Sequence, residues 1–275
     1  MWRSRTCSAI FCNGLTRSKG LKPKVAIFKL TSCSGCQQVI LNCENELLDI
    51  VGAVELAHFV EARRQNQPGP YDIGIVEGSV STPEEVKRIK EIRAECKVLM
   101  ALGTCAVFGG VQALRNWWSL DQIKRTVYEH PEAVEALAWS TGIDLYVPVD
   151  ARLPGCAPDK EQLLDCLVGL LADKRPELAT HSVCVECKLK GNLCLLVSQQ
   201  APCLGPVIRA GCGAACPSYG QACYGCFGPC EEANVAGLER IFESRLGLSR
   251  EEIRRYFLKI SSNAEAFSSF SGKNA

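Results

Sequence analysis

Four cysteines with glycine neighbours have the spacing expected of ligands to an inorganic centre. Cys33 and Cys36 form a C-x-x-C pair, whereas Cys105 and Cys156 are single residues in Gly-Thr-Cys and Pro-Gly-Cys-Ala-Pro segments. Four thiolates suit either a structural zinc ion or a [4Fe-4S] cluster. One close pair with two distant single residues favours the cluster, and the glycines let the backbone approach a bulky centre. A lone C-x-x-C could instead be a thioredoxin-like redox motif, although such an enzyme would not need the other two cysteines.

The densest run of cysteines follows, where nine of the 47 residues from 184 to 230 are cysteine. Glycines and prolines interrupt this run, which is typical of loops wrapped around inorganic cubes rather than of a hydrophobic core. Eight of the nine divide in chain order into Cys184, Cys187, Cys194 and Cys203, and then Cys212, Cys216, Cys223 and Cys226. Because two-cluster ferredoxins interleave their ligands, this order leaves open which residues share a site. His181 is an alternative ligand, and Cys230 has no assigned role.

The composition predicts a chain with a core of its own. It is 47% hydrophobic, and its 31 basic and 30 acidic residues give a net charge of +1, which argues against binding to nucleic acid or anionic lipid. The longest apolar run, 98–111, has 14 residues, fewer than the roughly 20 that span a membrane. We find no signal-peptide core or twin-arginine pair and expect a soluble, cytoplasmic chain. Its 18 cysteines then indicate cofactor ligation rather than disulfides.

The pattern from 24 to 173 alternates short apolar runs with amphipathic ones and predicts strand–helix units on a mostly parallel sheet. We predict strands at 24–30, 54–60, 72–76, 97–102 and 144–147, and helices at 33–48, 83–95 and 158–172. Cys33 and Cys36 follow the first of these predicted strands, Cys105 follows the fourth and Cys156 follows the fifth. They should therefore meet at the carboxyl edge of the sheet, where open parallel sheets bind ligands.

We expect four parts in the chain: a flexible leader at 1–23, a parallel-sheet domain at 24–178, an irregular cluster domain at 179–265 and a tail at 266–275. Helices at 236–245 and 249–260 should close the cluster domain, with a loose, polar segment from Ser261 onward. Cys7 and Cys12 in the leader have no partner spacing. Three further cysteines fall on predicted helices at core spacing and are interpreted as buried thiols: Cys43, Cys96 and Cys166.

Three four-cysteine sites in one chain suit a protein that transfers single electrons better than a protein that stores metal. The sequence has no dinucleotide fingerprint, Walker motif or Ser-His-Asp arrangement. We therefore interpret the chain as an electron carrier whose catalyst lies elsewhere.

Four motifs together resemble the small, electron-transferring subunit of nickel-iron hydrogenases. They are Thr31-Ser-Cys33-Ser-Gly-Cys36, Glu77-Gly-Ser79, Gly103-Thr-Cys105-Ala106 and Pro154-Gly-Cys156-Ala-Pro158, and the resemblance covers 24–228. It implies a flavodoxin-like domain that holds a proximal [4Fe-4S] cluster through Cys33, Cys36, Cys105 and Cys156. It also implies a large partner subunit that carries nickel and iron and splits hydrogen.

The same resemblance implies a medial [4Fe-4S] cluster on Cys212, Cys216, Cys223 and Cys226 and a distal one on Cys184, Cys187, Cys194 and Cys203. Exported members of the family usually have histidine at the first distal position, three medial cysteines and a twin-arginine signal, and this sequence departs on all three counts. It is thus similar to cytoplasmic hydrogenases, whose further subunits pass electrons to NAD(P), a deazaflavin or a heterodisulfide reductase.

Glu77 has two possible roles, because it ends a predicted buried strand beside the first cysteine set. It could relay protons, or its carboxylate could cap Gly78 and Ser79.

Three other functions stay open. A complex I-type cluster subunit shares the sheet and one four-cysteine site, although that family has adjacent cysteines in place of Cys33 and Cys36 and lacks the cysteine-rich extension. A stand-alone ferredoxin-like carrier and a zinc-binding interaction module would need no enzyme partner. Iron, zinc and nickel contents distinguish these possibilities.

Overall fold

Five parallel strands form a single sheet in the computed structural model, which describes residues 22–43, 46 and 52–270. The strands are β1 (Lys24–Lys29), β2 (Glu55–Phe59), β3 (Tyr71–Glu77), β4 (Cys96–Leu102) and β5 (Ala151–Leu153). Their order is β2-β1-β3-β4-β5, and every neighbouring pair is parallel. This is the flavodoxin-like order, which confirms the predicted α/β fold. The predicted leader up to residue 21, with Cys7 and Cys12, lies outside the described residues, as do Leu47, Leu48 and 271–275.

Helices cover both faces of the sheet. The chain contains α1 (Gly35–Leu41), α2 (Pro83–Glu95), α3 (Gly103–Phe108), α4 (Leu120–Val127) and α5 (Lys160–Leu171), with a 3-10 helix at Gly110–Trp117. Val25 and Ile27 of β1 pack with residues of α1 and α5, whereas Ala26 and Phe28 pack on the other face with residues of α2. Because both faces of the sheet are covered, its strands are nearly continuous apolar runs in the sequence.

The carboxyl-terminal part has little regular structure around its cysteines. Short helices α6 (Val183–Leu189), α7 (Leu195–Ser198) and α8 (Ala215–Ser218) are followed by α9 (Val235–Leu246) and α10 (Arg250–Phe257). Its core combines cysteines with aromatic residues such as Phe242 and Phe257. None of the helices in the described ranges is long and apolar enough to cross a bilayer.

The fifth strand lies further along the chain than predicted. Residues 144–147 do not form a strand; Ile143–Leu145 is a 3-10 turn, and Pro148 follows it. The strand is Ala151–Leu153, which Asp150 places at the sheet edge because its carboxylate accepts from Leu99 N–H at 2.8 Å. Only two of the three residues in β5 are buried, too few for alternation to be visible in the sequence. Cys156 still follows the strand.

The end of the described chain also differs from the prediction. The helix predicted to reach residue 260 ends at Phe257, and the segment after Ser261 is not loose. Phe267 and Phe270 are buried, and the Phe270 ring stacks on Phe257 with centroids 4.5 Å apart. The prediction failed because the segment is mostly polar, and its two buried phenylalanines lie three residues apart, one turn of a 3-10 helix.

Helix α2 begins with a capping box whose contribution to stability can be tested. Thr82 Oγ1 accepts from Glu85 N–H at 3.2 Å, and Glu85 Oε2 accepts from Thr82 N–H at 3.1 Å. Thr82→Ala should lower the free energy of unfolding by about 1 kcal/mol, measured by chemical denaturation. Ser119 is the control, because it precedes α4 without making a side-chain cap bond. If Ser119→Ala lowered stability as much as Thr82→Ala, the capping box would not be the cause.

Candidate iron–sulfur sites

The sheet-edge group, defined as Cys33, Cys36, Cys105 and Cys156, gathers at the carboxyl ends of three strands. Cys33 and Cys36 lie just beyond β1 at the start of α1, Cys105 lies in α3 directly after β4, and Cys156 lies beyond β5. Burial raises the pKa of Cys36 above its ordinary range, and the nearby charges of Glu77, Cys105, Cys156 and Cys33 raise it further. The sequence-predicted set is therefore brought together.

Burial also raises the pKa of Cys105 to about 11. Cys156 raises this pKa further, whereas the nearby backbone of Val111 opposes the shift. Four such thiols cannot ionise together without a compensating positive charge. Metal binding supplies that charge and displaces the thiol protons. The donor set therefore fits a metal centre better than four free thiols.

Glycines leave room beside the sulfurs. Gly103 has φ +83°, and a Cβ built there would overlap Cys36 Sγ. A Cβ at Gly110, which has φ +59°, would overlap Cys105 Sγ. Both positions favour glycine for its backbone conformation as well as for space.

Glu77 ties the Cys33–Cys36 loop to the end of β3. It is fully buried; its Oε1 accepts from Ser32 Oγ–H at 2.5 Å and its Oε2 accepts from Gln37 N–H at 2.7 Å. Ser32 Oγ in turn accepts from Ser34 N–H at 3.3 Å, so one carboxylate supports both ends of the loop. The hypothesis that Glu77 caps Gly78 and Ser79 is wrong, because both carboxylate oxygens are directed to the loop instead.

The Cys212 group, defined as Cys212, Cys216, Cys223 and Cys226, forms a second set of neighbouring thiols. Burial raises the pKa of Cys226 to about 11, and the charges of Cys212 and Cys216 add to this rise. Burial likewise raises the pKa of Cys223, which lies beside Cys226 and Cys212, while the nearby backbone of Gly225 opposes the rise.

The Cys184 group, defined as Cys184, Cys187, Cys194 and Cys203, surrounds one small apolar cavity. Burial raises the pKa of Cys184 to about 11, followed by the charges of its three partners. His181 does not line this cavity, and its side chain is exposed. The structure therefore brings together the four cysteines adjacent in chain order, without the histidine.

The three groups lie next to one another in a defined order. The backbone of Cys156 in the sheet-edge group lies beside the Cys226 thiol and opposes the rise in its pKa, and Thr104 Oγ1, beside Cys105, donates to the Cys226 carbonyl. The Cys223 N–H donates to Cys203 Sγ at 3.3 Å. The Cys212 group therefore lies between the sheet-edge group and the Cys184 group.

The arrangement fits iron–sulfur cubes better than single ions. Within the described part of the chain, no three His, Cys, Asp or Glu side chains are placed to hold one metal ion. Zinc at ~2.3 Å from each sulfur would bring four sulfurs within about 4 Å of one another. The Cys223 N–H donates to the Cys203 sulfur, and such bonds tune the potentials of iron–sulfur clusters.

The remaining described cysteines lie outside these groups. Cys166 on α5 is buried, as predicted. Cys43 and Cys96 are also buried, but Cys43 lies after α1 and Cys96 is the first residue of β4, so neither is on a helix. Cys230 is buried, and its N–H donates to the Val207 carbonyl at 3.0 Å.

Sequence reasoning missed two positioning residues. Thr104 accepts from Gly155 N–H at 2.9 Å and also contacts Cys226, so it links two groups. Glu186 accepts from Gly211 N–H at 2.9 Å and from Ala214 N–H at 3.1 Å, and so holds the loop around Cys212. Thr104 adjoins a predicted ligand, but both roles depend on contacts between distant segments that spacing cannot reveal.

The comparisons with known proteins agree with this architecture. The profile of the NADH ubiquinone oxidoreductase 20 kDa subunit family matches residues 33–170. The chain is 36% identical over 232 residues to the delta subunit of sulfhydrogenase 2 from Pyrococcus furiosus, covering 84% of this chain and 96% of that subunit. It is 33% identical over 240 residues to a vhu subunit of the F420-non-reducing hydrogenase from Methanococcus voltae, covering 77% of this chain and 84% of that relative.

A solved structure shows the same fold. A chain in the crystal structure of an NAD+-reducing [NiFe]-hydrogenase in the H2-reduced state aligns with a TM-score of 0.52 and 28% identity. The alignment covers 57% of this chain and 94% of that chain.

Proposed function

Because the chain belongs to the NADH ubiquinone oxidoreductase 20 kDa subunit family as a hydrogenase-related subunit, we propose that it is the small, electron-transferring subunit of a [NiFe] hydrogenase. In this proposal, the sheet-edge group holds a proximal [4Fe-4S] cluster, the Cys212 group a medial one and the Cys184 group a distal one. The sheet domain would span 24–178 and the cluster domain 179–265.

Two hydrogen bonds carry the proposal: one from Thr104, beside Cys105, to the Cys226 carbonyl, and one from the Cys223 N–H to the Cys203 sulfur. They join three four-thiol groups without a gap. A scaffold that stored metal or bound zinc would not need its sites in contact, whereas electron transfer between sites does.

The exposed thiols support a path that enters at one end and leaves at the other. Among the described cysteines, those that are exposed are Cys33 and Cys156 in the sheet-edge group and Cys194 in the Cys184 group. No member of the Cys212 group is exposed. The two outer groups can therefore meet other proteins, while the group between them is shielded.

An iron–sulfur cluster accepts and releases one electron at a time. Oxidation of H2 on a large partner subunit yields two protons and two electrons, and the electrons would pass singly through this chain. The residues of the chain would hold the thiolates, donate an N–H bond to the Cys203 sulfur and partly cover the middle group from solvent. The chain's own residues perform no bond-breaking chemistry in this scheme.

The hydrogenase proposal accounts for more of the chain than a complex I-type subunit does. The family profile ends at residue 170, before the Cys184 and Cys212 groups. The sulfhydrogenase subunit extends the similarity over 84% of the chain. The names of the relatives differ in acceptor, since one enzyme reduces NAD+ and another is F420-non-reducing. We propose a further redox subunit as the immediate acceptor, linked to NAD(P), a deazaflavin or a heterodisulfide reductase.

Purification from the native source tests the proposal. We expect a brown complex in which this chain carries about twelve irons and twelve labile sulfides, with four of each per cluster. A larger chain that contains nickel should co-purify with it. Colourless protein containing zinc would contradict the proposal, and so would a brown chain that purifies alone and supports no hydrogen-dependent dye reduction.

A further inference from the structure

The surface around Cys194 is unusually apolar for an exposed face. Five large side chains lie here, with exposed fractions of 42% for Val185, 83% for Leu189, 66% for Leu193, 72% for Val197 and 86% for Tyr219. We call these five residues the exit surface. Apolar patches of this kind mark sites of protein association.

The five residues lie on segments that contact one another: Val197 N–H donates to the Cys194 carbonyl at 3.1 Å, and Asn192 N–H donates to the Cys187 carbonyl at 3.1 Å. Val185 and Leu189 are four residues apart on α6 and so share a helix face. Leu193 lines the cavity of the Cys184 group, and Asn192 Nδ2–H donates to Ser218 Oγ at 3.0 Å. That bond brings the loop before Cys194 against the residue that precedes Tyr219.

The charge on this face is positive. Lys188 and Lys190 are exposed, and neither forms an ion pair with the described residues. Glu186 is the single acidic residue between 182 and 222. Both of its carboxylate oxygens accept backbone N–H groups, so they are directed at the chain itself. An apolar centre with two free lysines at its rim is complementary to an apolar surface with carboxylates around it.

We propose that the exit surface is the docking site of a protein subunit that carries its own redox cofactor and presents carboxylates to Lys188 and Lys190. The inference deepens the proposed function and rests on it. Cys194 is the exposed thiol of the Cys184 group, so a docked cofactor here would be next to the last site of the path.

Two other occupants fit less well. A second copy of the chain, paired about a two-fold axis, would bring the lysines of both copies to one interface, and like charges oppose such pairing. An anionic membrane would satisfy the lysines but would bring no electron acceptor to Cys194.

Photo-crosslinking in the intact native complex tests the docking site. The probe is benzoylphenylalanine in place of Tyr219, with the same replacement at Trp118 as a control, because Trp118 is also exposed at 69%. We expect the Tyr219 probe to link to a subunit that contains flavin or iron–sulfur cofactors, identified by mass spectrometry. The Trp118 probe should not link to that subunit.

Substitutions test the chemistry of the contact. Leu189→Ser with Lys190→Glu should weaken association of the acceptor subunit by about tenfold or more. The ratio of acceptor reduction to benzyl viologen reduction should fall by a similar factor. Val60→Ser with Lys87→Glu is the matched control, since Val60 is 69% exposed and Lys87 lies on α2. Its ratio should not change.

Iron content distinguishes failure of the proposed function from failure of the exit surface. A chain without iron would overturn the proposed function itself. A variant that retains its irons and the normal ratio would overturn the exit surface alone. Crosslinks only to the nickel-containing chain or to a second copy would also overturn the exit surface. So would binding of the complex to phosphatidylserine vesicles, if Leu189→Ser with Lys190→Glu abolished that binding but left the ratio of acceptor reduction to benzyl viologen reduction unchanged.

Discussion

A Cys36→Ala chain is expected to lose about four of its twelve irons and nearly all electron transfer from hydrogen, because each cubic cluster needs four thiolates. Cys36 is the member of the sheet-edge group whose sulfur lies against Gly103. Its surroundings include the charges of Glu77, Cys105, Cys156 and Cys33. No other cysteine of the described chain lies in that position, so the chain offers no substitute ligand there.

Iron analysis, labile sulfide and hydrogen-dependent benzyl viologen reduction measure this loss. Cys166→Ala is the control, because Cys166 is buried in the core on α5 and belongs to none of the three cysteine groups. It should retain the full iron content and electron transfer at the cost of a small core cavity. A Cys36→Ala complex with all its irons and normal dye reduction would show that the sheet-edge group does not hold a cluster on the electron path.

Glu77→Gln should have the next largest effect, on the potential and the rigidity of the sheet-edge site. The carboxylate accepts from Ser32 Oγ–H and Gln37 N–H through different oxygens. A glutamine has one acceptor oxygen and turns its NH2 toward the other donor, so one buried donor is left unpaired at a cost of about 1–3 kcal/mol.

Removing the negative charge beside Cys36 should also make reduction of the site easier. We expect the midpoint potential of the sheet-edge cluster to rise by roughly tens of millivolts, measured by redox titration with electron paramagnetic resonance. Glu61→Gln is the control, since Glu61 accepts from Ser34 Oγ–H in the same loop at 3.2 Å but is exposed, and solvent screens its charge. Equal shifts in the two variants would contradict a specific role for Glu77.

The same variant tests whether Glu77 relays protons. If Glu77→Gln with intact clusters shifts the potential but leaves hydrogen turnover unchanged, the relay hypothesis is removed and the carboxylate acts by positioning the loop. If turnover falls while the potential and iron content stay constant, proton transfer through Glu77 is supported instead.

The cysteine pattern and the secondary-structure pattern predicted different parts of this molecule. Ligand spacing and the rule for carboxyl edges of parallel sheets were sufficient to group Cys105 with Cys156, although a whole strand and a helical segment separate them. The first four strands were predictable because each is a buried apolar run. The fifth was not, because Ala151–Leu153 is short and depends on Asp150 binding a neighbouring strand.

Several features of the site depend on contacts that a single sequence does not display. Glu77 holds the Cys33–Cys36 loop because the end of β3 lies within hydrogen-bond distance of Gln37. The link from Thr104 to Cys226 joins segments 122 residues apart. The order of the three groups in space reverses the chain order of the last two; the family resemblance implied this order, but the spacing of the cysteines alone did not.

The distribution of the sheet-edge thiols along the chain also governs when that site can exist. Cys33 and Cys36 depend on β1, Cys105 on β4 and Cys156 on the edge strand β5. A growing polypeptide must therefore extend to residue 156 before it has all four thiols, and the group is complete only when the last strand has added to β4. Under the proposed function, iron would consequently enter this group late, after its fifth strand has been synthesised and has joined the sheet.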